Sequence, residues 1–117
     1  ITKMDIEQLR DHCLTYPNAT ESFPFDAQTL VFKVNNKIFL LVDIDRTPIQ
    51  FNVKCNPEKA IELREQYPNS VALGYHMNKK HWNTITDNSN LTHQQLLEQI
   101  EHSYQLVAFP PKKKTKT

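Results

Sequence analysis

Residues 30–44, LVFKVNNKIFLLVDI, constrain the fold more than any other stretch of the chain. Two runs rich in β-branched and aromatic side chains, LVFKV and IFLLVDI, flank Asn35-Asn36-Lys37. Such residues suit a pleated, half-buried surface, and asparagine tolerates the positive φ that a tight hairpin turn demands. The second run is apolar on both faces, which suits a strand inside a sheet. After the turn Asp45-Arg46-Thr47-Pro48, a third run, IQFNVK (49–54), alternates cleanly. Ile49, Phe51 and Val53 point one way, and Gln50, Asn52 and Lys54 point the other. That polar row is more than solubility requires of a strand, although solvated sheet faces are common.

Helical segments surround these strands. Thr2 is expected to cap a first helix, with Asp5 as its capping-box partner, and Ile6, Leu9, Cys13 and Tyr16 recur along one face. Tyr16-Pro17 ends it, because a residue before proline avoids the helical region. Asn56-Pro57 opens a second helix, an asparagine cap followed by proline at the first helical position, and Pro68 closes it. SVALGYH (70–76) and HWNTIT (81–86) read as a strand pair. Thr92 and Gln95 form a capping box for a last helix, Leu91 staples onto Leu96, and Leu96, Leu97, Ile100, Tyr104 and Val107 supply its apolar stripe. The expected order is αβββαββα: an α+β, two-layer domain with an antiparallel five-stranded sheet and helices mainly on one face. A single domain is expected over residues 1–109, followed by a basic, disordered tail at 110–117.

Composition removes several function classes. Gly74 is the only glycine among 117 residues, whereas phosphate loops and dinucleotide folds need several to let backbone amides approach phosphates. The longest apolar run, Ile38 to Val42, falls far short of the roughly 20 residues of a membrane helix. Cys13 and Cys55 are isolated thiols without a CxxC pattern, and the first residues are polar, so a cytoplasmic setting is expected. The net charge of +1 hides a split. Lys112, Lys113, Lys114 and Lys116 of the tail are four of fourteen basic residues; the remaining ten face thirteen acidic ones, leaving the body near −3. A protein gripping many phosphates usually shows a basic footprint over its folded domain, so tight nonspecific DNA binding by the body is disfavoured.

Several segments, taken in order, are similar to one family. FPF (23–25), TLVFKV (29–34), KIF (37–39), KCNPEKAIELRE (54–65), GYHMNKKHWNTI (74–85) and SYQLV (103–107) resemble the MmcQ/YjbR family of small bacterial proteins. The resemblance spans nearly the whole chain, and HMNKKHWNTI is its most specific part. It implies an α/β fold of the type also seen in secretion chaperones, in the same αβββαββα order, and members are often labelled DNA-binding on structural grounds. Asp26 stands where a glycine often follows FPF, and it adds negative charge near that loop.

The most distinctive stretch, YHMNKKHWNTITD (75–87), packs two histidines, two lysines and the only tryptophan between His76 and Trp82. With Lys54 at a strand end, His76, Asn78, Lys79, Lys80, His81 and Trp82 form a candidate nucleic-acid or anion site. The lysines offer charge, Asn78 a donor and acceptor, and Trp82 an aromatic face for a base. The same pattern also fits a tryptophan packed inside beside solvated turn lysines. Lys112, Lys113, Lys114 and Lys116 are expected to add contacts. Other chemistries fit less well. His76 and His81 with Cys55 or Asp87 do not have the spacing of a zinc site. Cys55 lies near a helix N-terminus, which would lower its pKa, but single-cysteine signals are weak. The expected role is therefore a non-enzymatic binding protein without cofactor. DNA or another polyanion is the leading partner; a protein partner or a small anionic ligand is the alternative, and no membrane is implied.

Overall fold

The computed structural model describes residues 4–74, 78–88 and 90–110. Their order is α1 (Ile6–Leu14), β1 (Thr20–Ser22), β2 (Thr29–Val34), β3 (Lys37–Asp43), β4 (Gln50–Lys54), α2 (Pro57–Gln66), β5 (Val71–Leu73), β6 (Trp82–Thr86) and α3 (His93–Ala108). The strands form one antiparallel sheet in the order β1-β2-β3-β4-β6-β5. The α+β class and the antiparallel sheet agree with the pattern of the sequence, but the sheet has six strands rather than five. The extra strand, β1, is the three residues Thr20-Glu21-Ser22, too short and polar to show an apolar alternation. Pairing with β2 creates it (Glu21 opposite Phe32), and Glu21 is anchored by a two-pronged contact with Arg10 of α1. None of the helices among the described residues is long and apolar enough to cross a membrane.

Local chemistry explains the elements. Asn35 and Asn36 both take positive φ, 53° and 66°, and Val34 pairs with Lys37 across the turn. Asn56 caps α2, its side chain accepting from the amides of Glu58 and Lys59. Thr92 and Gln95 form the reciprocal box that opens α3. For α1 the cap is Asp5, boxed with Gln8. That corrects the expected Thr2 cap; Thr2 itself lies outside the described residues. Asp5 serves because its carboxylate accepts the Gln8 amide while Gln8 returns a bond to the Asp5 amide.

All three helices lie against one face of the sheet. Leu9 and Cys13 of α1 and Leu96, Ile100, Tyr104 and Val107 of α3 share a core with Phe32, Phe39, Leu40, Phe51, Val53 and Ile85, and Leu63 of α2 packs against it. A register shift between Phe32 and Lys33 turns both Phe39 and Leu40 into this core. It also leaves Ile38 and Leu41 on the opposite face, so β3 is apolar on both sides for a definite reason: one strand residue more than its neighbour at a bulge. Ser103 ties α3 to the sheet, its hydroxyl donating to the Phe39 carbonyl and accepting from the Lys54 amide.

Candidate functional site

The face away from the helices carries Val31 and Lys33 of β2, Ile38 and Leu41 of β3, Gln50, Asn52 and Lys54 of β4, and Trp82, Thr84 and Thr86 of β6. Two-residue alternation puts them there. Trp82 is buried, at 7% exposure, and packs with Val31, Leu41 and Ile38. It is thus enclosed on the sheet face that bears no helix. The expected aromatic face for a base gives way to the packed alternative: the indole is buried in one apolar cluster with Val31 and Leu41, against which Ile38 packs. Gly74 makes room for this. A Cβ at position 74 would stand 2.7 Å from Trp82 Cβ and 3.0 Å from its carbonyl carbon. The single glycine of the chain therefore sits where strand β5 must approach the tryptophan closely, and its amide donates to the Trp82 carbonyl at 3.0 Å.

The lysines fall at one corner of that face. Asn78 closes a turn, its side-chain oxygen accepting from the Lys80 amide at 2.9 Å and its carbonyl from the His81 amide at 3.1 Å. Lys79 and Lys80 are exposed on this turn, and His81 is half-buried beneath them. Lys54 pairs with Trp82 in register, and the Cys55 amide donates to the His81 carbonyl at 2.7 Å. Those bonds pin the turn beside the end of β4. Lys54, Asn78, Lys79, Lys80, His81 and Trp82 are thus brought together, with Trp82 inside the group and the cations outside. His76, Lys112, Lys113, Lys114 and Lys116 lie outside the described residues. Among the described residues, ion pairing is confined to Arg10 and Glu21, so Lys54, Lys79 and Lys80 have no carboxylate within 4.0 Å there.

The thiol chemistry loses ground. Burial pushes the Cys55 thiol up, against the smaller pull of Lys59, Arg64 and the Asn56 amide. This corrects the expected lowering at the helix start: at 1% exposure, desolvation of the thiolate outweighs the helix end. Cys13 is pushed to about 12 by burial alone. Asp87 lies beyond the far end of β6 from His81 and accepts the Met4 amide at 2.8 Å, so the two do not converge. Among the described residues no group of three candidate metal ligands forms.

A second feature of the open face went unforeseen. At the end away from the lysines, Thr29, Leu41, Asp43, Arg46, Gln50 and Asn52 line a depression of about 390 Å³. Its one sequence signal was the polar row of β4. Gln50 and Asn52 were visible as an excess of polarity, but Asp43 and Arg46 join them only through the folded β3–β4 connection.

A two-layer α+β domain with a six-stranded antiparallel sheet, helices on one side and a cationic corner on the other is the class these observations define. Residues 14–106 match the YjbR family model, and the chain belongs to the YjbR family. It is 31% identical to YjbR of Escherichia coli K12 over 115 residues, covering 97% of this chain and 96% of that one. It is 35% identical to YbdF of Escherichia coli O157:H7 over 94 residues, covering 80% of this chain and 76% of YbdF. Among solved structures, it resembles a Deinococcus radiodurans protein at TM-score 0.88 and 39% identity, over 96% of this chain and 84% of the other. A Pseudomonas syringae protein matches at TM-score 0.75 and 25% identity, over 89% and 99%.

Proposed function

We propose that the chain is a non-enzymatic binding protein that contacts the phosphate backbone of nucleic acid through Lys54, Lys79 and Lys80. One observation carries this reading: three lysines stand at the end of β4 and on the adjoining turn, without carboxylate partners among the described residues. With Trp82 enclosed, base stacking plays no part there, and recognition rests on charge with little sequence preference. The burial of both thiols, which holds them protonated, supports a binding role over nucleophilic chemistry. Salt dependence is the test. Three phosphate contacts on duplex DNA give a slope of about −2.7 in log K against log salt, and Lys79→Ala/Lys80→Ala reduces it to about −0.9. Fluorescence anisotropy with a labelled duplex at several salt concentrations reads both values. Absence of binding at low salt, or a slope that ignores the substitutions, overturns the proposal.

A protein-contact reading draws on a different surface. Phe23 and Phe25 are 46% and 65% exposed, and Phe23 borders an apolar recess with Ile6, Leu30 and Ile44. A copurifying protein whose binding ignores salt and is lost in Phe23→Ser would favour it.

A further inference from the structure

We propose that the depression at the far end of the open sheet face binds a small zwitterion of the free α-amino acid class, independently of the lysine corner. Its lining carries one carboxylate, Asp43, and one guanidinium, Arg46, around the same concavity. The two are three residues apart in sequence, yet they make no ion pair within 4.0 Å. A simple anion would meet Arg46 but be repelled by Asp43, and a simple cation would face the reverse. A molecule with an ammonium and a carboxylate a few bonds apart satisfies both at once.

The surroundings are ordered for such a guest. The Asp43 carboxylate is oriented by one oxygen, which accepts the Asp45 amide at 2.9 Å, leaving the other available. Gln50 is tethered to the Thr86 hydroxyl at 3.0 Å, and Asn52 is tethered to the Thr84 hydroxyl. Each carboxamide keeps its second polar atom for a guest, and each is held by a cross-strand partner directly opposite it in register. Fixed side chains lose little rotamer freedom on binding. Leu41, 6% exposed, gives an apolar floor for the hydrocarbon part of the guest. A volume of about 390 Å³ lies at the small end of ligand sites, which fits an amino acid better than a nucleotide.

The test uses ¹⁵N-labelled full chain titrated separately with L-serine, L-glutamine, L-glutamate and L-arginine to about 10 mM, enough to reveal a millimolar Kd. At least one of the four is expected to shift the backbone resonances of residues 41–52. Its N-acetyl form, lacking the ammonium, and its carboxamide form, lacking the carboxylate, are each expected to bind about tenfold more weakly. D43N should weaken the free amino acid without further harming the N-acetyl form, and R46Q should do the same for the carboxamide form. Both side chains are exposed, and thermal melts confirm that the variants remain folded. If none of the four amino acids moves those resonances, or if the capped derivatives bind as well as the parent, the site is not a zwitterion site. Because the readout involves neither nucleic acid nor Lys54, Lys79 and Lys80, this result stands or falls apart from the phosphate-binding reading.

Discussion

The two ends of the open sheet face differ in how their charges are arranged. At one end, Lys54 and the turn bearing Lys79 and Lys80 present a single sign with no partner among the described residues. At the other, Asp43 and Arg46 stand around a depression with tethered carboxamides between them. The Val31–Leu41–Trp82 patch lies between the two and keeps water from the middle of the face. A sheet without helices on one side is usually a polar, solvated surface. Here a small second cluster lies within that surface, between the corner proposed to contact phosphates and the depression proposed to hold a zwitterion. Trp82 is the largest side chain of that patch, so removing it breaks the comparison most directly.

That removal has the largest expected effect. Trp82→Ala deletes a buried indole and is expected to cost about 3–5 kcal/mol, read as a shift in the urea midpoint. If the indole were an exposed platform for bases, the same change would leave stability within about 0.5 kcal/mol and act on binding alone. The second effect comes from the strand that approaches the tryptophan. Gly74→Ala places a methyl 2.7 Å from Trp82 Cβ, and the overpacking is expected to cost about 1–3 kcal/mol. A Gly74→Ala variant as stable as the parent would mean that β5 can move away without loss, and that the tryptophan is less tightly enclosed than its contacts indicate.

These residues also mark what could be read from the chain. The hairpin was legible because Asn35-Asn36 sits between two β-rich runs and needs no distant partner to turn. The caps of α2 and α3 were legible for the same local reason, and the family motifs pointed to the same element order. β1 was not legible: Thr20-Glu21-Ser22 becomes a strand only because β2 lies beside it. Trp82 was half legible. Burial fits its size, but its place on the face without helices comes from pairing opposite Lys54, and the bulge in β2 and β3 supplies Ile38 and Leu41 as apolar neighbours there. The lysine corner was visible as a cluster in one short stretch. The depression was not, since Asp43, Arg46 and Asn52 come together through a loop and across strands, and only the Gln50–Asn52–Lys54 row hinted at it.

The smallest effect separates the two ends by pH. Behind the lysine corner, the Asn56 amide donates to His102 Nε2 at 3.2 Å, which requires a neutral ring with its proton on Nδ1. Burial, aided by the nearby charge of Lys59, lowers the His102 pKa below its ordinary 6.5. The unfolded chain then takes up a proton near pH 6.5 while the folded chain still resists it. Stability is therefore complete above that pH and declines as pH falls through 6.5 toward the lower folded value. His12, lowered mainly by burial, acts in the same direction, so His102→Gln should flatten the melting temperature's decline from about pH 7.5 to about 5.5 without abolishing it. The depression contains no histidine. In a ¹⁵N spectrum the Asn56 amide should titrate with a midpoint below 6.5, whereas Gln50 and Asn52 stay still over the same range. An Asn56 midpoint at or above 6.5 would show that neither burial nor the Asn56 bond disfavours the protonated ring, and a parallel titration of Gln50 and Asn52 would show that the two ends do not differ in their response to acid.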